Sequence, residues 1–167
     1  MRPSAQSPLA STAMLAGYAM ASRSIPKTAP RRCRVLYVED DAESLALVEE
    51  LIAGRKDLVL LRAADIELAM KVARRERPEV IMVNVDLAAL GSVPLMKILR
   101  ADPATQVTPV LALGADASPK AAVKSLEAGF FLYLANPPQA GPLLEALEYA
   151  LEFGALERAE QSLKESL

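Results

Sequence analysis

From residue 34 onward, short apolar runs alternate with segments whose apolar residues recur every three or four positions. Runs such as Val80–Val83 are apolar without alternation, which is typical of parallel strands covered on both faces. The five predicted strands are Arg34–Val38, Leu58–Leu61, Val80–Val83, Val110–Leu113 and Phe131–Leu134. Five strand-helix units in about 120 residues predict a doubly wound α/β domain with one parallel sheet, right-handed crossovers and helices on both faces.

The carboxyl ends of these strands are where function is expected. In an open parallel sheet, ligands bind beyond the carboxyl ends of the strands, at the point where the strand order reverses. Polar or small residues follow four of the strands: Glu39 and Asp40, then Asn84, Gly114 and Asn136. We therefore look for the site at this edge.

Composition removes several kinds of chemistry. The 167 residues include no His and one Cys, so a zinc site, a disulfide framework and catalysis through an imidazole are excluded. Any metal here would be bound by oxygen ligands. Neither GxGxxG nor GxxxxGK[ST] occurs, which leaves nucleotide binding without its main sequence signal. Aromatic residues make up only 4% of the chain, and we expect no nucleic-acid partner.

Charge divides the chain into a basic leader and an acidic domain. Six of the 19 Lys and Arg residues and none of the 21 Asp and Glu residues lie within residues 1–34. Residues 1–32 are rich in Pro, Ser and Ala, so we expect a flexible leader; a weak targeting peptide or a start codon assigned too early are the alternatives. Its apolar stretch, 9–21, is too short to span a bilayer, so we expect a cytoplasmic protein without a membrane partner.

Four segments resemble, in order, the strand-end blocks of response-regulator receiver domains, the CheY-like family. These segments are RVLYVEDDAESLALVEELI, RPEVIMVNVDL, TPVLALGADASP and AGFFLYLANPP. The likeness covers residues 33–153, and the combination of four blocks at suitable spacings is specific. It implies a CheY-like, flavodoxin-like sheet of five parallel strands in the order 2-1-3-4-5.

Part of the receiver site is retained. Members of this family accept a phosphoryl group from a histidine kinase on an Asp after the third strand, beside Mg²⁺ held by an acidic pair. By resemblance that pair is Glu39 and Asp40, and Asp86 lends a backbone carbonyl to the metal. The aromatic residue that reports the change is Tyr133, and Pro137 follows a cis peptide bond.

Three other positions depart from the family pattern. The phospho-acceptor position is Asn84, the Thr or Ser position is Gly114 and the Lys position is Asn136. An amide is far less nucleophilic than a carboxylate, Gly has no hydroxyl, and Asn cannot neutralise a phosphate. We therefore predict a degenerate phosphorylation site with a weak or vacant Mg²⁺ site and no other cofactor.

The carboxyl-terminal segment 154–167 offers a second clue. Leu156, Ala159, Leu163 and Leu167 recur at helical spacing, which predicts an extension of the fifth helix, with Gly154 as a candidate interruption. The stripe is too short to form a coiled coil alone, so it fits packing against a partner or a second copy. The alternative is a frayed polar tail with incidental leucines.

Together these features predict a pseudo-receiver that is not an enzyme and acts as a phosphorylation-independent interaction module in two-component signalling. Expected partners are a histidine kinase, a phosphotransferase or another signalling protein. A homodimer would use the fourth helix, fifth strand, fifth helix and the C-terminal helix. Two alternatives stay open: an active receiver phosphorylated at Asp86 with Mg²⁺ at Glu39 and Asp40, and a small-molecule-binding domain whose strand-end crevice Gly114 enlarges.

Overall fold

A computed structural model describes residues 32–87 and 94–167. The prediction of a flexible leader over residues 1–32 therefore lies outside the described residues, except for residue 32 itself. The strands are β1 (Cys33–Val38), β2 (Leu58–Ala63), β3 (Val80–Asn84), β4 (Val110–Gly114) and β5 (Leu132–Ala135). The helices are α1 (Ala42–Ile52), α2 (Ile66–Glu76), α3 (Leu95–Ala101), α4 (Pro119–Glu127) and α5 (Ala140–Ser166).

The five strands form one parallel sheet in the order β2-β1-β3-β4-β5. This confirms the predicted CheY-like α/β fold and its strand order. The register aligns the carboxyl ends of the central strands, because Val38 pairs with Val83 and Gly114 pairs with Ala135. Glu39 and Asn84, each the next residue along its strand, are consequently brought side by side.

Two apolar layers cover the sheet, because successive strand residues point to opposite faces. On one face Leu36 and Val38 pack with α2 and α3, and on the other Val35 and Tyr37 pack with α1 and α5. Val35–Val38 of β1, Val80–Val83 of β3 and all of β4 are buried. The non-alternating apolar runs of the sequence are explained by this two-sided burial.

Side-chain caps fix where the helices next to the site begin. The Asp41 carboxylate accepts a hydrogen bond from the Ser44 amide at 2.9 Å and starts α1 directly after the acidic turn. The Ser44 hydroxyl donates to the same carboxylate, and the two hydrogen bonds hold the pKa of the Asp41 carboxyl below its usual value. Ser118 caps α4 with Pro119 at its first position. Asp41, the third acid after β1, is therefore the N-cap of α1.

Helix α5 is continuous over 27 residues, so the predicted extension of the fifth helix is confirmed. The candidate interruption at Gly154 does not occur: this residue lies inside the helix and is buried. A Cβ atom at Gly154 would lie 3.1 Å from Pro109 Cδ, so glycine is present because the helix passes close to the loop before β4. Within 32–87 and 94–167, no helix is long and apolar enough to cross a membrane.

Candidate functional site

The carboxylate of Glu39 lies buried at the carboxyl end of β1, with only 1% of the residue exposed. Its Oε1 atom accepts hydrogen bonds from the Tyr37 hydroxyl at 3.3 Å and from Asn84 Nδ2 at 2.9 Å. Its Oε2 atom accepts from Asn84 Nδ2 at 3.1 Å and from the backbone amides of Asp40 and Asp41 at 3.0 and 3.4 Å. Protein donors therefore compensate this buried charge from several directions.

Both polar groups of the Asn84 side chain form hydrogen bonds within the site. Its Nδ2 group points to the Glu39 carboxylate, and its Oδ1 atom accepts from the Asp86 amide at 2.9 Å. The reverse orientation would set an amide oxygen against a carboxylate and an N–H against an N–H, so the contacts select one orientation. An Asp at this position could accept from Asp86 but could not donate to Glu39.

The side chain of Asp86 is also engaged. Strand β3 ends at Asn84 and the chain turns at residues 85–86, so Asp86 does not continue the strand as a second carboxylate beside residue 84. Its Oδ2 atom accepts a hydrogen bond from the Ala115 amide at 2.6 Å. This carboxylate links the turn after β3 to the loop after β4.

The Gly114 position is filled by the side chain of Tyr133. A Cβ atom on Gly114 would collide with the Tyr133 hydroxyl and lie 3.0 Å from its Cζ atom. The Tyr133 hydroxyl donates to the Asp116 backbone carbonyl at 2.5 Å. Partial burial and the negative charges of Asp86 and Asp116 raise the pKa of the Tyr133 phenol. The position where receivers hold a hydroxyl therefore contains a phenol bonded to the loop after β4.

Asn136 and Pro137 complete the edge next to β5. The Asn136 backbone amide donates to the Gly114 carbonyl at 2.8 Å, extending the pairing of β4 with β5. The peptide bond between Asn136 and Pro137 is cis, as the resemblance implies. The sheet thus brings all three altered positions, Asn84, Gly114 and Asn136, to one edge.

The residues present do not fit Mg²⁺ in this arrangement. Magnesium takes oxygen ligands in near-octahedral geometry, and its protein ligands must present free lone pairs to one point. Here both Glu39 oxygens face the Asn84 amide. Asp40 and Asp86 are exposed, and the Asp86 carboxylate accepts a hydrogen bond from the Ala115 amide. Across 32–87 and 94–167, no three His, Cys, Asp or Glu residues are grouped where they could hold a metal ion.

The sequence reasoning missed Tyr37, whose hydroxyl contacts Glu39. Burial, and then the charge of Glu39, raise the pKa of the Tyr37 phenol. The available signal was strand periodicity: residues two apart lie on the same face, which directs Tyr37 and Glu39 to one side of β1. The chain thus uses a buried phenol to support its buried carboxylate.

A model of the response regulator receiver domain matches residues 35–148. Among characterised proteins, protein-glutamate methylesterase/protein-glutamine glutaminase 1 of Myxococcus xanthus is 29% identical over 125 residues, which are 74% of this chain and 34% of that protein. The chain therefore spans about a third of the length of this relative. The similarity lies in one part of a longer protein.

Solved structures share the fold. A response regulator from Desulfuromonas acetoxidans superposes with a TM-score of 0.65 at 22% identity, covering 72% of this chain and 97% of that chain. The chemotaxis response regulator CheY4 of Vibrio cholerae gives a TM-score of 0.63 at 24% identity, covering 72% and 99%. At these identities the likeness concerns the architecture of the domain.

Proposed function

This chain belongs to the response regulator receiver family, and from that premise we propose that it is a pseudo-receiver, a phosphorylation-independent interaction module of two-component signalling. It is not an enzyme, and its receiver domain covers residues 33–153 with a helical extension at 154–167. The observation that carries the proposal is the pair of hydrogen bonds from Asn84 Nδ2 to the Glu39 carboxylate. An amide occupies the acceptor position, and its N–H group occupies the side of Glu39 that a cation would need.

The lost acceptor is the first step of the argument. Phosphoryl transfer to a receiver needs a carboxylate oxygen that attacks phosphorus, and an amide oxygen is a poor nucleophile. The Asn84 oxygen already accepts from the Asp86 amide. Forming an acyl phosphate at Asn84 would therefore require different chemistry as well as broken hydrogen bonds.

The groups that would stabilise a phosphoryl group are the second step. Gly114 provides no hydroxyl, and Asn136 provides no positive charge to balance a phosphate. The space above Gly114 contains the Tyr133 ring, whose hydroxyl is bonded to the Asp116 carbonyl. The loop after β4 is thereby linked to β5 without any phosphate.

Phosphorylation at Asp86 is the rival function. Its carboxylate is on the exposed side of the turn, but it accepts a short hydrogen bond from the Ala115 amide. Attack from Asp86 would have to break that bond and would lack the hydroxyl and ammonium partners described above. The observed contacts favour a positioning role for Asp86.

A beryllofluoride titration tests the proposal, because this complex mimics a phosphoryl group on a receiver aspartate in the presence of Mg²⁺. We expect no change in the Tm or in the backbone amide NMR spectrum of the full chain when both are added. A rise in Tm that requires both Mg²⁺ and beryllofluoride would overturn the proposal, because a ligand that binds the native state stabilises it. The Asp86→Asn variant then separates Asp86 from other acceptors.

A further inference from the structure

Exposed large apolar side chains are concentrated on two helices. Among the described residues, eight such side chains are exposed; six lie on α4 and α5, and a seventh, Leu167, directly follows α5. The seven are Val123, Leu126, Tyr149, Phe153, Leu156, Leu163 and Leu167. The eighth, Leu68 on α2, lies apart from them in sequence and fold. Concentrations of exposed apolar surface of this kind mark interaction sites.

On α5 the apolar residues form a single stripe. Tyr149, Phe153, Leu156, Leu163 and Leu167 follow the alternating steps of four and three that place residues on one side of a helix, with Glu160 at the intervening position. The α5 stripe, defined by these five residues, is about 27 Å long at 1.5 Å per residue. Its length is that of an extended helix-helix contact.

The α5 stripe is distinct from the face that α5 turns to its own domain. That inner face is buried and carries Leu143, Ala146, Leu147, Ala150 and Gly154. Leu156 and Leu163 are 65% and 67% exposed, and they lie in the part of α5 after Gly154, where no residue is buried. The helix therefore has one apolar face covered by the sheet and a second apolar face that the described part of the chain leaves open.

The start of the α5 stripe opens into a groove beside α4. The groove has a volume of about 410 Å³ and is lined by Leu126, Phe130, Phe153 and other residues. The rings of Phe131 and Phe153 are 5.0 Å apart, which fixes one wall. A large apolar side chain from a helix lying on the stripe would fit here.

Acidic side chains border the α5 stripe. Glu152 and Glu157 take the positions that flank its apolar residues, and Glu160 interrupts it, whereas Lys164 is the one flanking base. Lys164 Nζ lies 3.2 Å from the Glu160 carboxylate, so this positive charge is already paired. A second copy of α5 packed in parallel would bring acidic border against acidic border, which disfavours self-pairing in that orientation.

We propose that the α5 stripe binds an amphipathic helix of another protein whose apolar face is bordered by Lys or Arg. This proposal rests on the proposed function as an interaction module and specifies the partner's chemistry. Apolar contact along the stripe supplies affinity, and the acidic border selects a basic partner. Glu157 lines the groove together with Arg100 and also lines the loop side of the helix, where it would meet the partner's cations.

Two synthetic three-heptad helical peptides test this proposal against the full chain. Both carry Leu at the a and d positions; one has Lys at e and g, and the other has Glu there. Fluorescence anisotropy should show that the Lys peptide binds at least about tenfold more tightly than the Glu peptide, with a preference that weakens as salt is added. The Leu156→Ser, Leu163→Ser double variant should lose at least about tenfold in affinity, while Leu68→Ser should bind as the wild type does.

Equal binding of the two peptides, no binding of either, or unchanged binding by the double variant would overturn the proposal. Sedimentation supplies a further arm, because a wild-type dimer that the double variant converts to monomers would show that a second copy covers the stripe. None of these results involves Mg²⁺ or beryllofluoride. Failure here is therefore distinguishable from failure of the pseudo-receiver proposal.

Discussion

The strand-end site, formed by Glu39, Asn84 and Asp86, and the α5 stripe differ in how far their side chains are satisfied by contacts within the chain. At the strand ends, the buried Glu39 carboxylate has donors from Tyr37, Asn84 and the backbone, and the Asp86 carboxylate has the Ala115 amide. Along the stripe, Leu156 and Leu163 are mostly exposed. Polar groups are satisfied where receivers carry out chemistry, and apolar groups are left open where a second helix can bind.

The two proposals together describe a receiver fold that loses phosphorylation and keeps partner binding. A phosphorylation site needs unsatisfied ligands and a nucleophile, whereas a docking surface needs apolar area that its own domain leaves exposed. Under the pseudo-receiver proposal, Asn84 stands at the acceptor position and hydrogen-bonds both the Glu39 carboxylate and the Asp86 amide. The same sheet still supports α5 and therefore still presents the stripe.

The largest expected effect on stability comes from removing the hydrogen bonds between Asn84 and Glu39 in the strand-end site. Asn84→Asp should reduce the free energy of unfolding by about 4 kcal/mol at pH 7, because it sets a second carboxylate against buried Glu39 and removes its donor. Urea unfolding measures this effect. In the Glu39→Gln background, Asn84→Asp should cost less stability, because an amide and a carboxylate again face each other. Equal costs in the two backgrounds would refute a direct interaction between residues 39 and 84.

The two apolar faces of α5 should respond differently to truncation. Leu147→Ala, on the buried face, should cost about 3 kcal/mol, since it leaves a cavity in the core. Leu156→Ala, on the stripe, should change stability by at most about 0.5 kcal/mol. Thermal and urea unfolding of the pair give the comparison, and a large loss for Leu156→Ala would show that the stripe is covered in the free protein.

A matched pair of glycine substitutions tests how tightly Tyr133 fills the site. Gly114→Ala should cost about 2 kcal/mol, because its Cβ collides with the Tyr133 phenol and the neighbouring Val85 side chain. Gly141→Ala, whose Cβ meets nothing within 4 Å, should be neutral or slightly stabilising. Adding Tyr133→Ala should relieve Gly114→Ala; an unrelieved cost would place the strain elsewhere.

Alkaline pH should lower the free energy of unfolding, because the buried Tyr37 phenol loses its proton there. Its folded pKa is raised by burial and by the charge of Glu39, so its stabilising contribution is complete below the unfolded value of about 10 and is lost as pH rises through the folded value. The free energy of unfolding should fall above pH ~10, and less steeply in Tyr37→Phe. Tyr149→Phe, at a half-exposed position, is the control and should retain the wild-type slope.

Periodicity and strand-end position predicted much of this structure, and tertiary contact determined the rest. The apolar runs predicted the sheet, and the register then brought Asn84 beside Glu39. The hydrogen bonds between them depend on side-chain orientation, which no spacing encodes. Gly154 was misjudged because its constraint, Pro109, lies 45 residues earlier in the chain. Glycine in an exposed helix is a weakness, but at a close contact it is a requirement.

The most direct measurement is acetyl phosphate labelling of the full chain in Mg²⁺, followed by intact-mass analysis and peptide mapping. We predict that the wild type and Asp86→Asn both keep their unmodified mass, because Asn84 cannot accept a phosphoryl group and Asp86 is held on the Ala115 amide. A Mg²⁺-dependent gain of one phosphoryl group, mapped to Asp86 and absent from Asp86→Asn, would contradict the account and identify an active receiver.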